Sequence, residues 1–297
     1  MSEEKIEVMN WQEWNRQGLI PGPEETEEEF KKRAVFCLNL KEQLRESLQT
    51  PLPFEENESR SAGILEDALP LSDKLYGIKP EWVPLFFGNH QLAPWHGGCA
   101  WIFQLDQTTP TSAFLQLRAN FRNSPTFLNI YHRRELIAHE LAHVGRMLYQ
   151  APQFEEFFAY QSSPSSWRRW FGPIVQSSKE SFFFVLLLAL VILTDISLFS
   201  IGPAIFSLLF AIKMLPVAFI LLGIGRLIYR HQLLKSVLRK LETLLPTDEA
   251  RHLLYRLLDH EIKRFSKLQQ EEIISFIKKG ADLSFRWRFL KAIYFTL

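Results

Sequence analysis

The run Glu135-Leu136-Ile137-Ala138-His139-Glu140-Leu141-Ala142-His143 holds the residue types best suited to chemistry in this chain. On a helix, positions i and i+4 share a face, so His139 and His143 can offer two imidazoles to one metal ion. Glu140 stands beside them, where its carboxylate can polarise a metal-bound water. Such a set points to a metal-dependent hydrolase. The plainer alternative is an exposed helix with two incidental histidines. Against that, Leu136, Ile137, Leu141, Val144 and Leu148 recur at helical spacing and give the segment a buried side. From Arg133 to Leu148 only Gly145 interrupts the pattern.

Catalytic zinc usually takes three protein ligands and keeps a fourth position for water. The third ligand must come from a neighbouring element. Gln150-Ala151-Pro152 makes a break, because Pro disfavours helix ahead of it. Phe154-Glu155-Glu156-Phe157-Phe158-Ala159-Tyr160 then reads as a second helix carrying two carboxylates. A tight turn between the helices would return Glu156, or Glu155 instead, over the two histidines.

The pair of elements resembles the gluzincin metallopeptidases: His-Glu-x-x-His on one helix, Glu-x-x-Ala (Glu156 to Ala159) on the next. In that family the leading Glu is the third zinc ligand, and the Ala lets the helices pack closely. The resemblance implies one Zn2+ per chain on His139, His143 and Glu156, with Glu140 as catalytic base. Tyr160 follows the Ala where the family often has Asp or Asn, and the interval from His143 to Glu156 is short. The likeness covers Phe114 to Gln161. In such a site zinc lowers the pKa of its bound water to about 7 and polarises the scissile carbonyl. Glu140 would take the water proton and pass it to the leaving amine. His132, Tyr149 and Tyr160 are the nearby candidates for stabilising the oxyanion, each also readable as a packing or surface residue.

Positioning such a helix requires a sheet. Strict alternation over Leu115 to Phe121 reads as a half-buried strand. Cys99 to Leu105 and Thr126 to Tyr131 read as two more, with turns at Asp106 to Pro110 and Arg122 to Pro125. Zinc peptidases of this architecture bind substrate along an exposed strand, and an edge strand can add a peptide through main-chain hydrogen bonds. His96-Gly97-Gly98-Cys99 reads as a plain turn before its strand.

Two apolar runs follow. Phe182 to Ile201 carries only Asp195, and Ala204 to Ile224 only Lys213, with Gly202-Pro203 between them. Each is about 20 residues, the length that crosses a bilayer core as a helix. The expected form is a transmembrane hairpin with Asp195 and Lys213 paired across it. Arg168, Arg169 and Lys179 precede it; Arg226, Arg230 and Lys235 follow. By the positive-inside rule both termini face the cytoplasm, with a bacterial inner membrane as the expected bilayer.

The expected class is therefore α+β: a small zincin-like sheet with its active-site helices, a two-helix transmembrane hairpin, and a helical C-terminal tail. Residues 1–60 form an acidic helical region, 61–173 the peptidase core, 182–224 the hairpin, and 226–297 a basic cytoplasmic tail. The net charge of +1 conceals an asymmetry: 14 acidic and 8 basic side chains in residues 1–60, and 8 acidic and 15 basic in residues 226–297. A basic tail beside a membrane attracts anionic lipid, and no nucleic-acid-binding motif accompanies the charge. In the tail, helices are expected over Arg226 to Leu245, from Thr247 to about Phe265, and over Gln269 to Lys279, closed by Gly280. Phe285 to Lys291 suits either an interfacial anchor or a docking helix. At the other end, Thr26 and Glu29 form a capping box ahead of one apolar helical face running from Phe30 to Leu48, and residues 64–95 show no motif. Residues 1–30 are too polar for a cleavable signal, and two cysteines, Cys37 and Cys99, are too few for a disulfide framework.

Three functions compete. One is a membrane-anchored zinc endopeptidase acting on membrane or membrane-proximal proteins. The second, an intramembrane protease, is disfavoured because His132, Arg133, Arg134 and Arg146 flank the motif helix, which lies outside both apolar runs. The third is a non-enzymatic membrane scaffold, similar in its paired apolar lobes to inclusion-membrane proteins, with a vestigial metal site.

Overall fold

The computed structural model describes residues 3–48, 58–94, 96–175, 178–201 and 206–295. The chain opens with α1 (Glu3–Arg16), α2 (Glu27–Leu38) and α3 (Leu40–Leu48). The capping box is present: Thr26 N–H donates to Glu29 Oε2 at 2.9 Å, and Glu29 N–H donates back to Thr26 Oγ1 at 3.3 Å. The apolar face expected as one helix to Leu48 is divided at Asn39. Its backbone N–H and its side-chain amide both donate to the Val35 carbonyl, ending α2 there.

Residues 64–95, which show no pattern in sequence, supply part of α4 (Glu58–Glu66), all of α5 (Leu69–Tyr76) and β1 (Leu85–Phe87). β1 runs parallel to β3 (Ser112–Leu117), and β2 (Gly98–Phe103) pairs antiparallel on the other side of β3. The strand order β1-β3-β2 leaves β2 as an edge. The alternating segment ends earlier than its pattern suggests, because Ala119–Arg122 turn as a 3-10 helix. The strand expected over Thr126 to Tyr131 is instead a small hairpin, β4 (Thr126–Phe127) with β5 (Tyr131–His132). Leu128 and Asn129 lie in the left-handed region, φ 54° and 52°, and reverse the chain between them.

β5 leads directly into α6 (Arg133–Val144), the helix of the histidine motif. It is more enclosed than one apolar side requires: Glu135, Leu136, Ile137, Ala138, Glu140, Leu141, Ala142 and Val144 are all buried. α6 stops at Gly145 rather than at Leu148. Tyr255 donates its hydroxyl to the Ala142 carbonyl at 2.7 Å, and a Cβ on Gly145 would come within 2.3 Å of that oxygen. Gly145→Ala should therefore displace Tyr255 and lower stability by about 1–3 kcal/mol, read from the denaturation midpoint of the full chain. After α7 (Pro152–Ala159) and α8 (Ser166–Phe171) come two long apolar helices, α9 (Ser178–Ile201) and α10 (Phe206–Leu241).

Among the described residues, one helix, Phe210–Leu241, is long and apolar enough to cross a membrane. α9 packs on it with exposed apolar side chains of its own, including Phe182, Val185, Ile192 and Ile196. Phe183 meets the Phe219 ring and Asp195 pairs with Lys213, so the two helices run in opposite directions. The Gly202-Pro203 turn lies outside the described residues.

The C-terminal helices are α11 (Thr247–Tyr255), α12 (Asp259–Phe265), α13 (Gln270–Leu283) and α14 (Phe285–Tyr294). The first predicted helix stops at Leu241, and the second is broken after Tyr255. Gly280 lies inside α13 and does not close it; the Trp287 ring packs where a Cβ would stand, at 2.9 Å. These helices are no separate tail. Tyr255, Leu257, Ile262, Phe289 and Leu290 belong to the same apolar core as Trp11, Phe30, Leu115 and Ile137. Arg256 donates to the Asn15 side chain and the Tyr76 carbonyl, both at 2.7 Å. α14 docks through Phe285 and Phe289 against Trp11 and Phe30, which decides its two readings in favour of docking. Arg256 and Arg286 are buried, so part of the tail's positive charge is internal.

Candidate metal centre

α6 and α7 meet in a tight turn. Pro152 takes the first position of α7, where its missing N–H leaves no bond unmade. Ala159, fully buried, closes the contact. Tyr76 holds the C-terminal end of α7 by donating to the Phe158 carbonyl at 2.8 Å.

This packing brings His139, His143 and Glu156 together, with one possible ligand atom from each lying within 4.8 Å of the others. His139 Nε2 is 3.7 Å from Glu156 Oε2, and His143 Nε2 is 3.7 Å from Glu156 Oε1. Two ligands about 2.1 Å from a tetrahedral ion lie roughly 3.4 Å apart, so each His–Glu156 pair needs only a few tenths of an ångström of contraction to share a cation. Glu155 and Glu156 are not equivalent. Glu155 Oε1 sits 2.8 Å from His143 Nδ1, the nitrogen facing away from the cluster. It is thus placed to orient the imidazole rather than to compete with Glu156.

Glu140 stands apart from the three clustered groups. Its Oε2 accepts the backbone N–H of Ala100, on edge strand β2, at 2.8 Å. All four residues line a cleft of about 430 Å³ with Ala100, Ile102, Tyr131, Leu136, Tyr160 and Arg168. Burial raises the Glu140 carboxyl above its ordinary pKa and does the same to Glu156. Burial, helped by His143 and Arg168, keeps His139 neutral. Burial also disfavours charge on His143, but Glu155, Glu156 and Glu140 outweigh it and push that imidazole up to about 9.

Of the three oxyanion candidates, only Tyr160 reaches the cleft. Its ring is 4.9 Å from His139, and Gly172 lies flat against it because a Cβ there would be 2.3 Å from the ring. Burial, then Glu156, pushes its phenol up to about 12, so it keeps its donor proton. Tyr149 is buried, bonded to the Arg256 carbonyl at 3.1 Å, and His132 is exposed outside the cleft. Cys99 and His96 line the cleft without joining the ligand cluster.

No family model, no curated protein and no solved structure matches this chain. The centre has to be read from its own groups. Sequence reasoning missed two of them, Arg168 and Glu135, which pair at 2.7 Å across the cleft wall. In sequence Arg168 reads only as a charge ahead of an apolar run. Glu135 sits one helical turn before His139, and that spacing was its only signal.

Proposed function

We propose that this chain is a membrane-anchored, zinc-dependent endopeptidase of gluzincin type, cleaving membrane or membrane-proximal proteins. The observation that carries the reading is the His139–His143–Glu156 cluster, with Glu140 close by, buried in a cleft and outside the ligand set. A divalent cation there would supply an acidified water and a polarised carbonyl. Glu140, outside the ligand set, would serve as the base toward a water held there and return the proton to a leaving amine. Tyr160, protonated and facing the cluster, donates to the oxygen on which negative charge develops. Gly98 and Ile102 turn their main-chain groups to the same edge of β2 as Ala100, whose N–H is held by Glu140, because the pattern repeats every second residue. A substrate peptide lies along that edge.

Membrane anchorage draws support from the packing of the chain ends. Residues before α9 and after α10 share one core, so both lie on the same side of any bilayer. That favours two spans, a hairpin of α9 and α10, with both ends cytoplasmic by the charge rule. The Asp195–Lys213 pair neutralises the two charges inside the apolar runs.

Metal analysis tests the site. The purified full chain should carry one equivalent of divalent cation, zinc when zinc is offered, and His139→Ala should lose it. Glu155→Gln should keep the cation but bind it about 10–100-fold more weakly, because Glu155 orients His143 without being a ligand. Zinc bound equally by His139→Ala and the parent would end the proposal and leave a membrane scaffold in its place.

A further inference from the structure

The turn joining β4 to β5 is built against local preference. It closes through the Ile130 N–H on the Phe127 carbonyl at 3.2 Å, and both central residues have positive φ. Asn129 tolerates that conformation, whereas Leu128 does not favour it. The turn also displays apolar side chains to solvent: Leu128 is 59% exposed and Ile130 53%. A strained backbone holding two exposed aliphatic groups at a tip is not explained by the folding of this core.

The tip is tied to the segment that leads into α9. Arg168 Nη1 donates to the Ile130 carbonyl at 2.9 Å, and its guanidinium lies over the Tyr131 ring. The neighbouring Trp167 is 67% exposed, with its ring 3.8 Å from that of Phe171. Val175, just before the apolar helix, is 46% exposed. Leu128, Ile130 and Trp167 are thus exposed apolar side chains beside Tyr131 and Arg168, which line the cleft, and Val175 shares a groove with Phe184 and Val185 of α9. The charges closest in sequence to this surface, Arg133, Arg134, Arg168 and Arg169, are cationic, with Glu135 paired to Arg168.

We propose that the β4–β5 tip and Trp167 form a lipid-contacting face that inserts at the headgroup boundary of an anionic bilayer and holds the cleft mouth at the membrane surface. The occupant is lipid for three reasons. Its Val175 end meets α9 and α10, whose exposed faces are already apolar. It combines an aromatic ring with aliphatic tips, the pattern of an interfacial anchor. Its flanking charges match anionic headgroups. The inference rests on the membrane reading above and narrows the substrate: the peptide bonds within reach are those just outside a membrane span or anchor.

Site-directed spin labelling of the full chain tests it, in nanodiscs of phosphatidylcholine and phosphatidylglycerol. The background is Cys99→Ser, since Cys37 is buried and does not label. Nitroxides at Leu128→Cys, Ile130→Cys and Trp167→Cys should become several-fold more accessible to oxygen than to a water-soluble nickel chelate. A label at the exposed Lys32→Cys should show the opposite order. Labels at 128 and 130 that behave like the one at 32 overturn the inference, even if the label at 167 is lipid-exposed. Loss of access to both reagents marks a protein contact and also overturns the lipid assignment. Metal content is read separately, so a chain without zinc would sink the peptidase while leaving the depth measurement valid.

Discussion

The Glu140→Gln protein is expected to keep its divalent cation and lose hydrolysis by about 10²–10⁴-fold, the usual contribution of a positioned general base. The geometry behind this is specific. Glu140 shares α6 with both imidazoles, yet its carboxylate bonds the Ala100 N–H and is not one of the three clustered ligand groups. Gln preserves that hydrogen bond and the shape of the cleft, and removes only the ability to take a proton. Metal stoichiometry and turnover of a peptide substrate, measured on the same preparation, separate the two effects. Loss of metal along with activity would assign Glu140 to the ligand set and contradict its role as base.

The largest effect on stability should come from Glu261, far from the cleft. Its two oxygens accept from Arg286 at 2.8 and 2.9 Å, from the Trp287 indole at 2.9 Å and from the Leu258 N–H at 2.7 Å. Both partners of the ion pair are almost wholly buried. Glu261→Ala leaves the Arg286 guanidinium in the core without its carboxylate, which should destabilise the chain by about 3–5 kcal/mol. Replacing both residues with apolar side chains of similar volume should recover much of that loss. Burial opposes ionisation of Glu261, but the Arg286 charge and hydrogen bonds outweigh it and hold the carboxyl below its ordinary value. A depressed folded-state pKa gives stability that is present above the unfolded value, about 4.3, and is lost as pH falls through the folded one. The parent should therefore lose stability into the acid range faster than Glu261→Ala, so the gap between their denaturation midpoints narrows. A gap constant with pH would mean that packing, not ionisation, carries the effect.

Much of the candidate site is legible from spacing alone. The i, i+4 histidines, the proline break and the paired glutamates follow from helical periodicity and from what proline does to a helix. The capping box at Thr26 is equally local, and so are the two apolar runs. Some departures from the reading come from distant side chains. α6 ends early where the Tyr255 hydroxyl, from the C-terminal region, takes the Ala142 carbonyl that the Arg146 N–H would need to continue the helix. Gly280 sits inside α13 with the Trp287 ring packed where its side chain would be. Others are local. Thr126 to Tyr131 carries strand propensity, yet a turn in left-handed backbone splits it.

The sequence by itself determined the residue types able to hold a cation, their helical register, and the apolar segments long enough for a bilayer, because these depend on neighbours within a few positions. Only the tertiary structure decided that Glu156 faces both imidazoles while Glu155 backs one of them, that β2 is the edge beside Glu140, and that Arg168 lines the cleft. It alone also joined the basic C-terminal helices to the core, through Arg256 and Arg286. Each of these depends on chain segments meeting across long sequence separations, where packing volume and the pairing of buried charge select the partner and no local pattern records the choice.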